Sequence, residues 1–211
     1  MRETLKRIGV DEAGKGDYFG YLVIAAVCVD DASEKVLRDI GVKDSKKLSD
    51  YAVKEMGPKI KKLPSETVMI SPEKYNKIYP KFGSLNRLLA WGHARSIENV
   101  LEKTECSHVI TDKFAEESIL EEYLMEKGRA ATVVQKINGE ADMAVAAASV
   151  LARYEFLRTL RLLGREVGIV LPKGSTHVKE AGRELIKKHG EDILHLVAKM
   201  HFKITKDILK Q

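Results

Sequence analysis

A chain of 211 residues, 44% hydrophobic and 32% charged, has the apolar content to bury a core and the composition of a globular protein. Its two cysteines exclude a disulfide framework, and its longest apolar run, residues 21–29, falls far short of the roughly 20 residues a membrane-spanning helix needs. The net charge of +5, with a pI near 9.0, favours a polyanionic partner without requiring one.

The amino-terminal stretch MRETLKRIGVDEAGKGD does not read as a secretory leader, because charge interrupts its short apolar segment, and a cytoplasmic location is expected. Residues 5–11 and 21–29 read as two strands joined by the glycine-rich 13–20, a hairpin-like pair with Cys28 as a small core residue. Residues 32–40 predict a short helix, and Ser49 caps a second that runs into Pro64. Residues 66–70 form a short strand, and Ser71-Pro72-Glu73 starts a helix with proline at its first position. Helical spacing of Leu85, Leu88, Leu89, Ile97, Val100 and Leu101 predicts a helix over 84–103. A strand over 107–111 ends at Asp112, followed by a helix over 116–127, a strand over 131–137 and a long Ala-rich helix over 143–163. From His177 the tail carries two or three more helices. Strands first, then strands alternating with helices, describe an α/β sheet covered by helices, with a helical C-terminal subregion.

Three acidic points stand at strand ends or helix starts. Asp11 and Glu12 close an apolar strand, Asp112 closes another, and Gly139-Glu140-Ala141-Asp142 precedes the Ala-rich helix. Each has a structural reading: a solvated turn for the first pair, a helix N-cap for Asp112, a favourable macrodipole position for the third group. As a set they could hold two Mg²⁺ ions, which take oxygen ligands. Such a pair suits phosphodiester hydrolysis, activating water and stabilising the leaving oxygen. No Cys/His set at zinc spacing, no GxxxxGK[ST] loop and no G-x-S-x-G elbow occurs. Gly14-Lys15-Gly16 follows the first pair; its glycines permit close backbone approach to a phosphate, or simply a tight turn.

The longer string Asp11-Glu12-Ala13-Gly14-Lys15-Gly16-Asp17-Tyr18-Phe19-Gly20 resembles the signature of the type 2 ribonucleases H, specifically the ribonuclease HIII branch. The HII branch typically has arginine in place of Lys15. The resemblance continues through Val42-Lys43-Asp44-Ser45-Lys46-Lys47-Leu48, Leu85-Asn86 to His93, and Asp112-Lys113-Phe114. It extends to Ala144-Val145-Ala146-Ala147-Ala148-Ser149 with Ala152-Arg153, then Leu171-Pro172-Lys173-Gly174 and Lys199-Met200-His201-Phe202. These motifs occur in the family's order and cover nearly the whole chain.

The resemblance implies a ribonuclease H-like fold: a mixed central sheet with helices on both faces and a helical C-terminal part. It implies one catalytic domain over 1–211, with a core over about 1–165 and the helical part over about 166–211. The implied activity is endonucleolytic cleavage of the RNA strand of RNA/DNA hybrids, leaving 5′-phosphate and 3′-hydroxyl ends, in the service of DNA replication and repair. Two Mg²⁺ ions are implied, with Mn²⁺ as a substitute, and a monomeric enzyme. Carried over residue by residue, Asp11, Glu12 and Asp112 match the first three catalytic and metal-binding acids, and Glu140 matches the fourth. Asp142 is the alternative fourth acid.

Two departures stand out. Ribonucleases HIII typically carry a separate N-terminal domain resembling the TATA-box-binding fold; with the first acid at position 11, that domain is expected to be missing here, naturally or by truncation. Ser175-Thr176-His177 occupies a place where the family often has a run of small residues. For substrate recognition, the backbone of Gly14, Lys15 and Gly16 is expected to contact 2′-hydroxyls and phosphate, and Lys46, Lys47 and Lys173 to contact phosphates, unless these lysines are plain surface charges. Tyr18 and Phe19 are read as packing under the turn, and His201 as making a structural hydrogen bond. Two other functions stay open: ribonuclease HII-like incision at single ribonucleotides in duplex DNA, and non-catalytic hybrid binding.

Overall fold

The computed structural model describes residues 6–210. Leu5, where the first strand was expected to begin, lies outside the described residues. Five strands form one mixed sheet in the order β3-β2-β1-β4-β5. They are β1 (Arg7–Ala13), β2 (Leu22–Val29), β3 (Ser65–Ile70), β4 (His108–Asp112) and β5 (Thr132–Lys136). β2 is buried along its whole length, as a continuous apolar run requires, and Cys28 is a core residue. β1 pairs in parallel with β4, and β4 in parallel with β5. Parallel neighbours need long crossovers, which the intervening helices supply.

The helices are α1 (Asp31–Asp39), α2 (Asp50–Ile60), α3 (Pro72–Phe82), α4 (Leu85–Leu101), α5 (Glu117–Tyr123), α6 (Glu126–Ala130), α7 (Met143–Val167), α8 (Lys179–His189), α9 (Ile193–Val197) and α10 (Ile204–Leu209). Ser49 caps α2 and Ser71 caps α3, each hydroxyl accepting a backbone N–H of the first turn. α2 stops at Ile60, short of Pro64, and closes through a turn in which Leu63 N–H donates to Ile60 O.

The single helix expected over 116–127 is instead two. Buried Glu98 of α4 accepts from the N–H groups of Lys127 (3.1 Å) and Gly128 (2.9 Å), which caps a restarted helix, α6. That cap comes from a distant segment, so local pattern does not foretell it.

By compactness the chain divides into two units. One comprises the chain to Glu12, Ile24–Val68 and Ser84–Tyr154; the other comprises Ala13–Val23, Met69–Gly83 and Glu155 onward. Within the first, the Ala-rich start of α7 lies directly on β1. A Cβ on Gly9 would overlap the backbone of Ala144, so this approach needs glycine on the strand. Within the second, α8, α9 and α10 form the helical tail, and Asn76 of α3 is fastened to it. Its amide donates to Ala198 O (2.8 Å) and accepts from Met200 N–H (2.9 Å). Among the described residues no helix is long and apolar enough to cross a membrane.

Candidate active site

The first unit brings three of the four expected acids to one end of two neighbouring parallel strands. Val10 of β1 pairs with Thr111 of β4, so Asp11 and Asp112 follow the same rung. Asp11 is 9% exposed and takes the N–H of Glu12 on Oδ1 at 2.8 Å. Burial pushes its carboxyl up to about 7, helped by the charge of Glu12 and less by Asp112; hydrogen bonds from the Ser149 hydroxyl and the Glu12 N–H pull the other way.

Asp112 is not a helix cap. The helix that follows it is α5, whose N-cap is Glu116. Its Oδ1 instead accepts the N–H of Gly139 at 3.0 Å. A Cβ at Gly139 would lie 2.9 Å from the Asp112 Cα, so only glycine lets the 3-10 turn Gly139–Ala141 sit against the strand end. Asn138, in the left-handed region at φ 55°, turns the chain into it. Glu140 follows Gly139 in that turn.

The two contenders for the fourth acid differ in their partners. Asp142 receives Arg7 Nε on both oxygens, at 2.9 and 2.7 Å, and accepts Ala144 N–H at 2.8 Å at the head of α7. Arg7 in turn holds Glu34 at 2.7 Å. Asp142 is thus a capping and ion-pairing group. Glu140 is partly exposed and has no side-chain hydrogen bond or ion pair among the described residues.

Buried polar residues frame the acids. His93 of α4 is fully buried; its Nε2 lies 2.9 Å from Glu12 Oε2 and its Nδ1 2.9 Å from the Thr111 hydroxyl. The Ser149 hydroxyl, which reaches Asp11, lies 2.7 Å from that of Ser45. Arg153 donates to Ser45 O, to Leu48 O (3.1 Å) and to Asp50 Oδ1 (2.6 Å), which fixes the turn bearing Lys46 and Lys47 onto α7. Both lysines are exposed, Lys47 at 3.8 Å from Asp44. Sequence reasoning assigned none of these roles to His93, Ser149, Ser45 or Arg153. The available signal was a polar residue on a buried stripe, such as Leu89-His93-Ile97.

An all-oxygen set of acids crowded enough to repel one another fits a hard divalent cation. Among the described residues no group of three or more His, Cys, Asp or Glu side chains is drawn together closely enough to hold a metal ion by itself. Mg²⁺ is commonly held by one or two carboxylates together with waters and phosphate oxygens.

The second unit holds the glycine-rich segment. Gly14 has φ 88°, and a Cβ there would overlap Tyr21 O, so glycine is obligatory. Gly16 is different: a Cβ would meet nothing within 4 Å. Lys15 and Lys173 are exposed. Tyr18 and Phe19 are fully buried and pack edge to face at 4.8 Å, as the packing reading expected. Asp17 Oδ1 accepts Gly174 N–H at 2.6 Å, tying the two glycine motifs. Lys199 is fully buried with Nζ donating to Gly20 O at 2.7 Å, and burial lowers it to about 7. His201 lays its ring against Tyr79 (4.5 Å) and Phe202 (4.5 Å).

The architecture matches solved ribonucleases H. The crystal structure of Bst-RNase HIII in complex with Mn²⁺ superposes with a TM-score of 0.91 at 33% identity, covering 98% of this chain and 70% of that one. The ribonuclease H2 from Pyrococcus horikoshii OT3 gives a TM-score of 0.79 at 25% identity, covering 96% of each chain. The Ribonuclease HII family model matches residues 8–205. The ribonuclease HIII of Protochlamydia amoebophila (strain UWE25) is 45% identical over 96% of this chain and 68% of its own length. That of Chlamydia abortus (strain DSM 27085 / S26/3) is 44% identical over 99% and 71%. The chain belongs to the type 2 ribonuclease H family, on its ribonuclease HIII side.

Proposed function

We propose that this chain hydrolyses the RNA strand of RNA/DNA hybrids at Asp11, Glu12, Asp112 and Glu140, which hold two divalent ions, Mg²⁺ with Mn²⁺ as substitute. The observation that carries this reading is the meeting of Asp11 and Asp112 on adjacent parallel strand ends, with the Glu140 turn packed on Asp112. Mn²⁺ in the related Bst-RNase HIII supports a divalent cofactor. Glu140 is preferred to Asp142 because Arg7 and the α7 N-terminus already engage Asp142. Ions bound by these acids supply Lewis-acid activation of water and stabilisation of the leaving oxygen, giving 5′-phosphate and 3′-hydroxyl ends.

The chain's own part is to fix the acids and orient the hybrid. The Glu12 N–H and the Ser149 hydroxyl hold Asp11, and Gly139 N–H holds Asp112. Lys46 and Lys47, on a turn anchored by Arg153, are proposed phosphate contacts, as is Lys173. The backbone of Gly14, Lys15 and Gly16 is proposed to meet 2′-hydroxyls; packing does not require glycine at position 16, where a Cβ would face open space. The test compares a duplex with a long RNA stretch and one with a single embedded ribonucleotide. The proposal expects the long stretch to be cut efficiently; cutting of the single-ribonucleotide duplex alone would reassign the activity to the HII type.

A further inference from the structure

We propose that His93 is a positioning residue: its imidazole fixes the Glu12 carboxylate and links it to the strand end that bears Asp112. The proposal rests on Glu12 being a metal ligand. The ring is fully buried in α4, where an apolar side chain would fill the space more simply. A buried imidazole needs partners for both nitrogens, and both partners here belong to the acid-bearing strands. Nε2 faces Glu12 Oε2 at 2.9 Å on β1, and Nδ1 faces the Thr111 Oγ1 at 2.9 Å on β4. The Thr111 hydroxyl also donates to Asp112 O at 3.1 Å. Phe114, two residues past Asp112, lies against the ring with centroids 4.3 Å apart. One ring therefore spans two strand ends and is held from the side.

The physical consequence follows from carboxylate geometry. A Glu side chain has three rotatable bonds, and a metal site tolerates little freedom in where its oxygens point. An Nε2–H donated to Oε2 pins one oxygen and so directs the other. In the neutral ring Nε2–H donates to Glu12 when the Thr111 hydroxyl donates to Nδ1; when that hydroxyl turns to Asp112 O, Nδ1–H donates to it and Nε2–H is kept only in the doubly protonated ring. A histidine that only filled the core would not need its two nitrogens on these two strands.

The experiment uses the full chain with His93→Leu, His93→Gln and Thr111→Val, and Asp11→Asn as a control. Mn²⁺ binding is measured calorimetrically without substrate, alongside kcat and KM on a hybrid and thermal melting without metal. Loss of an outer partner of a metal ligand typically weakens binding by about 10–100-fold. His93→Leu is expected to lose about that much Mn²⁺ affinity and a similar factor in kcat, with KM for the hybrid at the wild-type value. His93→Gln, which keeps an N–H donor on a side chain of similar reach, is expected to recover most of both. Thr111→Val, nearly isosteric, is expected to weaken Mn²⁺ binding by a smaller factor. A folded His93→Leu with wild-type Mn²⁺ affinity overturns the proposal. If His93→Leu does not fold, wild-type affinity in Thr111→Val overturns it instead. Failure of the underlying functional reading looks different: the wild-type chain would bind no Mn²⁺ and cut no hybrid, or Asp11→Asn would match it in both.

Discussion

The acid end of β1 and β4 and the lysine-bearing segments are built in opposite ways. Asp11 is buried and Asp112 half-buried, each accepting backbone N–H groups, and Glu12 is met by a buried imidazole. Lys15, Lys46, Lys47 and Lys173 all stand exposed. Groups that take part in bond breaking must be held in a fixed geometry, and desolvation strengthens their fields. Groups that position a phosphodiester backbone work as screened charges, and their side chains can stay in water. The contrast implies that changes among the acids act on turnover and metal binding, while changes among the lysines act on salt-dependent affinity.

The sharpest break of that contrast is Asp112→Asn, expected to lower hybrid cleavage by about a thousandfold, about 4 kcal/mol of transition-state stabilisation, with little change in hybrid affinity. Next comes the pair Glu140→Gln and Asp142→Asn. Glu140→Gln is expected to lose about a hundredfold in kcat with an unchanged melting temperature. Asp142→Asn is expected to lose about 1–2 kcal/mol of stability, through the weakened cap and ion pair, while keeping most activity. The reverse pattern in kinetics and melts would make Asp142 the ligand.

Asp11 gives a pH signature of middle size. Its folded-state carboxyl is raised to about 7, so without metal the fold holds a proton that the unfolded chain releases. That contribution to stability is complete below the ordinary carboxylate range and disappears as pH rises through about 7. Metal-free wild type should therefore lose more melting temperature than Asp11→Asn between about pH 5 and pH 8. Mn²⁺ should raise the wild-type melting temperature more at the higher pH. Parallel profiles for the two proteins would show that Asp11 does not titrate this way. The smallest effect is expected of Lys46→Ala and Lys47→Ala. Each should reduce the salt slope of hybrid binding by about one, with kcat unchanged; an unchanged slope would make them plain surface charges.

Much of this was legible in the sequence because local patterns report local physics. The apolar runs of β1 and β2 announced themselves, as did the Ser49 and Ser71 caps and the three tail helices within the expected range. The acids could be found at strand ends, but their roles depended on residues far away in the chain. Glu140 and Asp142 stand two positions apart in the same local context; what separates them is Arg7, at the far end of the chain. The split of α5 from α6 depends on Glu98, and the use of His93 on Thr111 and Glu12. Lys199 reads as a solvated charge until the fold buries it against Gly20 O. Periodicity marks which face of a helix is covered, not which buried polar group will find a partner there.

The most direct test of the central claim is strand-resolved cleavage of an RNA/DNA hybrid, each strand separately labelled, with Mg²⁺, with Mn²⁺ and with chelator. Fragments of the RNA strand alone are expected, bearing 5′-phosphate ends, and only when a divalent ion is present. Cleavage that survives chelation, or cutting of the DNA strand, would contradict the claim.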